Sequence, residues 1–275
     1  MAGILYVVGT PIGNLSDFSP RALETLRSCD FIAAEDTRVT LKLLNKFEIK
    51  KPMVSYYEHN RRERGEIILA RLQDGENCAL VTDAGMPAIS DPGEDLVALC
   101  HAHGVRVESV PGPTAFATAV AVSGLPSGRF TFEGFLSVNK PSRRAHLEEL
   151  KQEKRTMVFY EAPHKLAATL NDMLDAFGDR ELALVKELTK LHETVERTTL
   201  WAAAQKYAQT PPKGEFVLVI AGAPEETPAA NTLSDAVDFA RAQTAAGLST
   251  NEAAKAAAKQ YGFKKSDIYK ALMKQ

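Results

Sequence analysis

Short apolar segments rich in β-branched residues alternate with helix-forming segments along most of the chain, and this alternation restricts the possible folds more than any other feature. The segments "ILYVVG", "FIAAE", "MVSYY", "CALVTD" and "VRVESVPG" have the length and composition of buried strands. Helix signals such as Ser19 followed by Pro20 separate them. The alternation predicts an α/β fold with a parallel sheet, whose ligands bind beyond the carboxyl ends of the strands.

A second alternation begins after "SGLPSG" and ends near Gly222. Its strands are predicted at "FTFEGFL", "TMVFYE", "ELALVKEL" and "EFVLVIAG", and its helices at 142–154 and 164–177. The segment "APEETPAAN" has no hydrophobic period and is predicted to be a linker. The predicted organisation is an α/β domain at 1–113 with the ligand loops, a second α/β domain at 114–223 that completes the cleft, a linker at 224–231 and a helical extension at 232–275.

The extension at 232–275 shows only helical patterns. Ser249 and Glu252 form a capping box at the start of one helix, and Gly262 can end that helix. A second helix follows, and two short helices joined by a glycine-containing turn are typical of a helix-turn-helix. The same pattern fits a plain packing bundle equally well.

Three loops of small residues follow strands of the first alternation. They are "GTPIGN" after the first strand, "DAGMPAISDPG" after the fourth and "PGPTA" after the fifth. Loops at the carboxyl ends of neighbouring parallel strands meet in one crevice, and small residues there let backbone groups reach a ligand. Each loop alone is consistent with an ordinary tight turn, but three in one sheet predict a ligand site.

The motifs that the sequence lacks narrow the class of ligand. It has no G-x-x-x-x-G-K-[ST], and "GTPIGN" does not fit the dinucleotide-binding G-x-G-x-x-G. The loop "VTDAGMPAISDPG" carries Asp83 and Asp91 instead of lysine, so it suits a ligand with hydroxyls, an ammonium group and a positive centre, as S-adenosylmethionine has. We expect Asp83 to contact this cofactor and Asp91 to cap the next helix, where Asp91→Ala would cost about 1 kcal/mol.

The cysteines and histidines do not predict a metal site. Cys29, Cys78 and Cys100 are far apart in apolar segments, which predicts buried thiols. His101 and His103 lie at a predicted helix end, where histidine is common. The apolar run at the start is too short to span a membrane and lacks a basic flank, so we expect a cytoplasmic protein with no membrane partner.

Basic residues are concentrated in three segments, although the formal net charge is only −2. Segment 42–71 has eight basic and four acidic residues, segment 138–155 has six and three, and segment 230–275 has seven and four. An acidic body with such segments can bind a polyanion through them. Solvated helix faces would have a similar composition, and for any one segment the two interpretations are about equal.

Several segments, in order along the chain, resemble the tetrapyrrole methylase superfamily, and more closely its members that methylate 16S ribosomal RNA. The resemblance implies two α/β domains with S-adenosylmethionine between them, usually in a homodimer. It also implies methylation of a cytidine 2′-hydroxyl in the decoding region of the small ribosomal subunit. The segments are "LYVVGTPIGNLSDFSPRALETL", "AAEDTR", "TDAGMPAISDPG", "PGPTA", "FYEAPHK" and "VKELTKLHE".

The resemblance also implies which residues contact the cofactor. Those of the first loop would line the adenosine or methionine side, those of the fourth-strand loop would form the main cofactor loop, and those of the second domain would offer backbone groups. The loop "TDAGMPAISDPG" is longer than the "GDP"-type loop of relatives that methylate tetrapyrroles. The residues carried over are Pro11, Ile12, Asp83, Gly85, Pro87, Ala88, Ile89, Thr114, Ala115, Tyr160, Leu188 and Glu215.

Methyl transfer to a ribose hydroxyl neutralises charge, so it needs alignment more than an oxyanion hole. Because the hydroxyl is a weak acid, a positioned base or a cation beside the alkoxide would help. Glu35 and Asp36 in "AAEDTR" are the strongest candidates, since removing two carboxylates from water at a strand end costs energy and is typical of functional sites. Glu161, Lys186 and Glu187 are further candidates, and each of the five could instead serve in an ion pair or a helix cap.

The RNA is expected to contact arginines and lysines in the three basic segments, since a guanidinium can bind a phosphate through two hydrogen bonds. Two alternatives remain open. One is a methyltransferase of the same fold that acts on a tetrapyrrole or a protein side chain, and the other is a non-enzymatic RNA-binding module. The predicted RNA contacts are Arg61, Arg62, Arg64, Arg143, Arg144, Lys264 and Lys265.

Overall fold

Two five-stranded sheets follow each other along the chain in the computed structural model, which describes residues 2–210, 212–224 and 232–273. All strand pairs of the first sheet are parallel, in the order β3-β2-β4-β1-β5. This confirms the predicted parallel sheet. Its strands are β1 (Ile4–Val8), β2 (Phe31–Ala34), β3 (Met53–Ser55), β4 (Cys78–Val81) and β5 (Arg106–Val110), and its helices are α1 (Pro20–Ser28), α2 (Thr37–Lys46), α3 (Arg61–Gln73) and α4 (Gly93–Ala102).

Both faces of the first sheet are covered. Leu5 packs into a core on one face with Phe31, while Val8 packs into a second core on the other face with Ile32. Alternate residues of a strand point to opposite faces, so a strand buried on both faces is apolar throughout. This explains why the central strands are continuous apolar runs in the sequence.

The second sheet is mixed, in the order β6-β7-β10-β8-β9, with only β6 and β7 parallel. Helix α5 packs against this sheet, although it follows the last strand of the first. The helix that covers one face of the second sheet therefore begins just after the predicted domain boundary at 113. The strands are β6 (Phe130–Phe135), β7 (Thr156–Glu161), β8 (Glu181–Lys186), β9 (Thr194–Thr199) and β10 (Phe216–Ile220), and the helices are α5 (Ala115–Ser123), α6 (Lys140–Glu149), α7 (Leu166–Phe177) and α8 (Leu200–Gln209).

Three details of the second half differ from the sequence prediction. Strand β9, "TVERTT", was not predicted because it is an edge strand with few apolar residues. Helix α6 begins at Lys140 instead of 142, because the Asn139 side chain accepts a hydrogen bond from Ser142 N, and it ends at Glu149 instead of 154. Helix α7 begins at Leu166 instead of 164.

The segment Pro224–Gln275 is a separate compact unit. Its helices are α9 (Leu233–Ala245), α10 (Thr250–Tyr261) and α11 (Lys265–Leu272), around a small core of alanines with Val237 and Ile268. The predicted capping box of Ser249 and Glu252 is present, and Gly262 ends α10 in the left-handed conformation, as expected. All but the first residue of the predicted linker, and residues 274–275, lie outside the described residues.

No helix within the described ranges combines the length and the apolar character that crossing a membrane requires.

Candidate active site

A cavity of about 550 Å³ lies where the loops after β1, β4 and β5 meet the second sheet. This confirms the prediction that the three small-residue loops converge on one crevice. The volume falls within the range of small-molecule sites in proteins. The lining consists of Ile12, Glu35, Thr82, Ala84, Gly85, Met86, Ile89, Ser90, Asp91, Thr114, Ala115, Phe135, Tyr160, Glu161, Ala162, Pro163, His164, Val185, Leu188, Glu215, Phe216 and Val217.

Backbone hydrogen bonds hold these loops together. Thr10 and Gly85 exchange two of them, at 2.9 and 3.1 Å, and the Thr10 side chain donates to Thr82 O. Gly9 lies so close to the β5 loop that a Cβ on it would sit 2.6 Å from the backbone of Gly112. Only glycine allows this approach, which brings the backbones of two ligand loops side by side.

The second half of the chain contacts the first at two places that mark the two ends of the cavity. A Cβ on Gly13 in the β1 loop would lie 2.9 Å from Thr189 Oγ1, and one on Gly134 in β6 would lie 3.2 Å from Ser90 Oγ in the β4 loop. We call the part of the lining beside the Gly13 contact, which includes the residues after β5, the β5 end, and the part beside the Gly134 contact, which includes the residue after β2, the β2 end. The β5 end includes Ile12, Thr114, Ala115 and Leu188, from the loops after β1, β5 and β8, and the β2 end includes Glu35, Thr82, Ser90, Asp91 and Phe135, from the loops after β2 and β4 and the end of β6.

The loops that border the cavity contain non-glycine residues in the left-handed conformation. Ala88 and Ser90 both have φ +65°, and Glu187 and Thr189 have φ +53° and +63°. Such backbone costs energy and persists only where the surrounding structure enforces it, often at ligand sites. The two loops are therefore held in shape by their surroundings.

Carboxylates cluster at the β2 end. Glu35 lines the cavity and accepts a 2.5 Å hydrogen bond from the buried Thr82 hydroxyl. Asp36 points elsewhere and pairs with Arg38, whose hydrogen bonds lower the pKa of Asp36 to about 2. A carboxylate of such low pKa is a weak base, so the structure separates the two neighbours predicted together and leaves Glu35 in the cavity.

Asp83 and Asp91, both in the loop after β4, differ in their relation to the cavity. Asp83 is exposed, lies outside the cavity lining and accepts a hydrogen bond from Asp36 N. Asp91 lines the cavity, and its Oδ1 accepts from Ala88 N and Gly93 N. Its Oδ2 is buried and has no partner among the described residues, and burial together with the charge of Glu35 raises the pKa of Asp91. The Asp91 Oδ1 contacts agree with its predicted place at the helix start, and the residue also borders the cavity.

Glu161 also lines the cavity, but its oxygens are occupied. It is 4% exposed, and it accepts from Ala162 N and from the Thr169 hydroxyl. These bonds fix the turn "EAPHK" after β7, which places His164 in the lining. Glu161 thus shapes the site through this turn.

Lys186 and Glu187 lie outside the lining. Glu187 accepts from Glu215 N and pairs with Lys190, and these contacts lower the pKa of Glu187. The carboxylate therefore joins β8 to β10 beside the cavity. This arrangement favours the ion-pair interpretation over a catalytic role for Glu187.

The predicted cofactor residues divide into two groups. Eight of the twelve lie in the cavity lining, although their sequence positions are widely separated. Pro11, Asp83, Pro87 and Ala88 lie in the same loops but outside the lining. The lining members are Ile12, Gly85, Ile89, Thr114, Ala115, Tyr160, Leu188 and Glu215.

The predicted RNA contacts are unequal in accessibility. Arg143 is only 12% exposed and donates to Asp172, and Arg144 donates to the same carboxylate. This arrangement disfavours the predicted phosphate contact of Arg143, because its guanidinium joins α6 to α7. Arg61 is paired with Glu58 and Asp95. Arg62, Lys264 and Lys265 are exposed, and Arg64 is partly exposed.

Comparison with known proteins agrees with this geometry. Residues 4–204 match the family model for Tetrapyrrole (Corrin/Porphyrin) Methylases. A curated relative from Synechocystis sp., named Ribosomal RNA small subunit methyltransferase I, is 48% identical over 269 residues, which cover 97% of this chain and 96% of the relative. The chain belongs to the ribosomal RNA small subunit methyltransferase I family.

Other comparisons extend this family assignment. A member from Thermotoga maritima is 50% identical over 220 residues, which cover 80% of this chain but 99% of that member. Uroporphyrin-III C-methyltransferase from Thermus thermophilus, solved with S-adenosylhomocysteine, has a TM-score of 0.55 at 19% identity and covers 78% of this chain and 97% of that one. This likeness confirms the tetrapyrrole methylase fold.

Some lining residues carry no motif of their own. Ser90, Phe135 and His164 line the cavity but were not predicted as site residues. Each lies in a loop after a predicted strand or at the end of one. The strand-end rule gives the edge of the sheet but not which side chains point into the cavity. In addition, the described residues contain no group of three or more potential metal ligands.

Proposed function

We propose that this protein transfers the methyl group of S-adenosylmethionine to the 2′-hydroxyl of a cytidine in the decoding region of 16S ribosomal RNA. The observation that carries the proposal is the match to a curated ribosomal RNA methyltransferase over nearly the whole of both chains. The cavity supports it, because it offers backbone and small side chains at one end and a carboxylate at the other.

S-adenosylmethionine fits the residues at the β5 end. The close approach of the Gly9 and Gly112 backbones holds the loops after β1 and β5 side by side, and small residues of these loops line the cavity, where they leave room for the adenosine and methionine portions. When bound, the cofactor supplies a methyl group on a positively charged sulfur. Ile12, Thr114, Ala115 and Leu188 enclose it, while Gly85, Ile89, Tyr160 and Glu215 complete the wall.

Glu35 is the residue that we assign to the ribose hydroxyl. It lies at the β2 end, and Thr82 holds one of its oxygens in place. A carboxylate there orients the hydroxyl and accepts its proton as the oxygen attacks, which contributes in the manner of a general base. Asp36, paired with Arg38, and Glu187, paired with Lys190, are engaged in other contacts.

The ion pairs change the set of residues that we propose to contact RNA. Arg62, Arg64, Lys264 and Lys265 remain candidates for phosphate contacts, because no carboxylate partner accompanies them in the part of the chain that the structure describes. Arg61 and Arg144 would have to exchange carboxylate partners for phosphates. Such contacts position an RNA but do not read its sequence.

We propose a cytoplasmic location, because the proposed substrate is ribosomal RNA. We also propose a homodimer, which the resemblance implies. Strand β9 ends the second sheet with an edge that pairs with no other strand of the described residues, and the exposed Leu191 lies just before it. Equilibrium sedimentation of the full chain tests the dimer, and a monomer mass at micromolar concentration would contradict it.

The substrate is tested by transfer of a labelled methyl group. The full chain is incubated with labelled S-adenosylmethionine and one of three acceptors: small ribosomal subunits, protein-free 16S RNA or a tetrapyrrole. We expect label in RNA, and nuclease digestion should recover it as 2′-O-methylcytidine. Label in the tetrapyrrole or in ribosomal protein would contradict the proposal, and the two RNA acceptors distinguish free RNA from an assembled subunit.

A further inference from the structure

Phe135 is a large apolar side chain that the fold leaves open. It lies at the last position of β6, lines the β2 end of the cavity and is 59% exposed. Packing in the core would remove such a ring from water, so an exposed ring at a cavity wall calls for an explanation.

A β-bulge directs this side chain. The register between β6 and β7 shifts between Phe132 and Gly134, so that Glu133 is the extra residue. Bulges re-aim side chains and are frequent beside active sites. Gly134 has φ +63°, a conformation that favours glycine, and Glu133 is anchored to His146 of α6 at 3.1 Å.

The ring has a firm backing. Phe135 is in register with Tyr160 of β7, and the two ring centroids are 5.3 Å apart. Tyr160 is in turn held by the Phe132 ring at 5.0 Å and by a hydrogen bond from Phe116 N to its phenolic oxygen. Phe135 therefore packs at an interplanar angle of 58° against a fixed aromatic group, while much of its ring stays exposed.

We propose that Phe135 is the stacking platform for the nucleobase of the target nucleotide, which leaves the RNA stack to enter the cavity. The inference rests on the proposed function. A ribose hydroxyl can reach Glu35 only if its nucleotide enters the cavity, and enzymes that extrude a nucleotide compensate for lost stacking with aromatic side chains. The β2 end supplies both groups, with the carboxylate for the ribose and the ring for the base.

Stacking makes this residue a determinant of substrate binding and not of cofactor binding. Base–aromatic stacking is worth about tenfold to 100-fold in affinity. We expect Phe135→Ala to lower kcat/KM for the ribosomal substrate by that factor while the Kd for S-adenosylmethionine stays within about twofold. Phe135→Trp keeps a ring and should restore most of the activity. Trp201→Ala removes a ring that is 57% exposed on α8 and serves as the control.

An RNA with an abasic target nucleotide separates stacking from a structural effect. This RNA keeps the ribose hydroxyl but has no base to stack. If the proposal holds, wild type loses activity on it, and Phe135→Ala then loses nothing more, because the two changes remove the same contact. An equal loss from Phe135→Ala on normal and abasic RNA would overturn the stacking role.

The other outcomes are also decisive. If Phe135→Ala is as active as wild type, the stacking proposal alone fails. If wild type methylates no ribosomal acceptor, the proposed function fails and takes the stacking role with it. If Phe135→Ala dissociates an oligomer and Phe135→Trp does not restore activity, the ring belongs to an interface between copies of the chain.

Discussion

At the scale of single residues, the partners of a carboxylate decide what it can do. Glu35 and Asp36 are neighbours in sequence, yet only Glu35 lines the cavity, because Asp36 turns to Arg38. Asp83 and Asp91 belong to one loop, yet only Asp91 lines the cavity and keeps a buried oxygen without a partner among the described residues. Carboxylate function here depends on hydrogen bonds that no local pattern specifies.

Glu35→Gln is expected to lower methyl transfer to the ribosomal substrate by about 100-fold or more, since positioned general bases contribute roughly that much. The amide still accepts the hydrogen bond from Thr82, so the fold and the Kd for S-adenosylmethionine should not change. Single-turnover kinetics and isothermal titration measure the two quantities. A variant as active as wild type would exclude Glu35 as the base.

Asp91→Asn is expected to weaken binding of the positively charged cofactor more than Asp83→Asn does, because the Asp91 carboxylate borders the cavity and attracts the sulfonium across it, whereas Asp83 is exposed outside the lining. Asparagine keeps the oxygen that accepts from Ala88 N and Gly93 N, so the loop survives while the charge in the cavity is lost. Titration calorimetry on both variants gives the comparison. The reverse order of affinities would restore the cofactor role first predicted for Asp83.

At the scale of elements, close backbone approach and buried ion pairs fix the loops and helices around the cavity. Gly9 and Gly112 bring the loops after β1 and β5 together, and Arg143 of α6 is tied to Asp172 of α7. Both features depend on contacts between segments about 30 or more residues apart. Their energetic importance can be measured with one substitution each.

Gly9→Ala is expected to destabilise the protein by about 1–3 kcal/mol, because the added methyl group would overlap the Gly112 backbone, which cannot move as a side chain could. Gly128→Ala is the matched control, since its Cβ would meet no atom of the described residues within 4 Å, and it should change stability by less than about 0.5 kcal/mol. Urea unfolding compares the two. Equal stabilities would mean that the two loops are free to separate.

Asp172→Asn is expected to cost about 3 kcal/mol, because it leaves the nearly buried Arg143 without a countercharge. Asp175→Asn, at an exposed partner of Arg144, should cost less than about 1 kcal/mol. Burial alone would raise the pKa of Asp172, but hydrogen bonds from Arg143 and Arg144 outweigh it and lower the pKa.

The lowered pKa sets the pH dependence. The ionised Asp172 contributes fully above the ordinary carboxyl pKa, and this contribution is lost as the pH falls through the lower pKa of the folded state. The stability difference between wild type and Asp172→Asn should therefore shrink below about pH 4. A difference that is constant from pH 7 to pH 3 would show that the charge is unimportant.

At the scale of the whole molecule, the chain consists of the unit Met1–Ala223 and the unit Pro224–Gln275. The methylase family model ends inside the first unit, at residue 204. The Thermotoga maritima relative matches 80% of this chain over 99% of its own length. About one fifth of this chain lies outside that match, and this fifth is about as long as the second unit. The methyltransferase fold is therefore expected to be complete without the second unit.

A chain ending at Ala223 is expected to unfold cooperatively and to bind S-adenosylmethionine with a Kd within about twofold of the full chain. All residues of the cavity lining belong to this first unit. The exposed Lys264 and Lys265 are lost, so binding to 16S RNA should weaken and its salt dependence should become less steep. Calorimetry and binding at several salt concentrations test both parts. Loss of cofactor binding would show that the second unit completes the site.

The family resemblance supplied eight of the positions that line the cavity. The sequence by itself determined the α/β class, the parallel first sheet and the three ligand loops. These follow from local rules, because hydrophobic period, capping residues and glycine-rich strand ends are written in neighbouring residues. Only the tertiary structure decided that Asp91 and not Asp83 faces the cavity, that Arg143 is tied to Asp172, and that a bulge aims Phe135 at the site. Those outcomes depend on hydrogen bonds, ion pairs and strand register between segments that are distant in the sequence, and local sequence patterns do not specify such contacts.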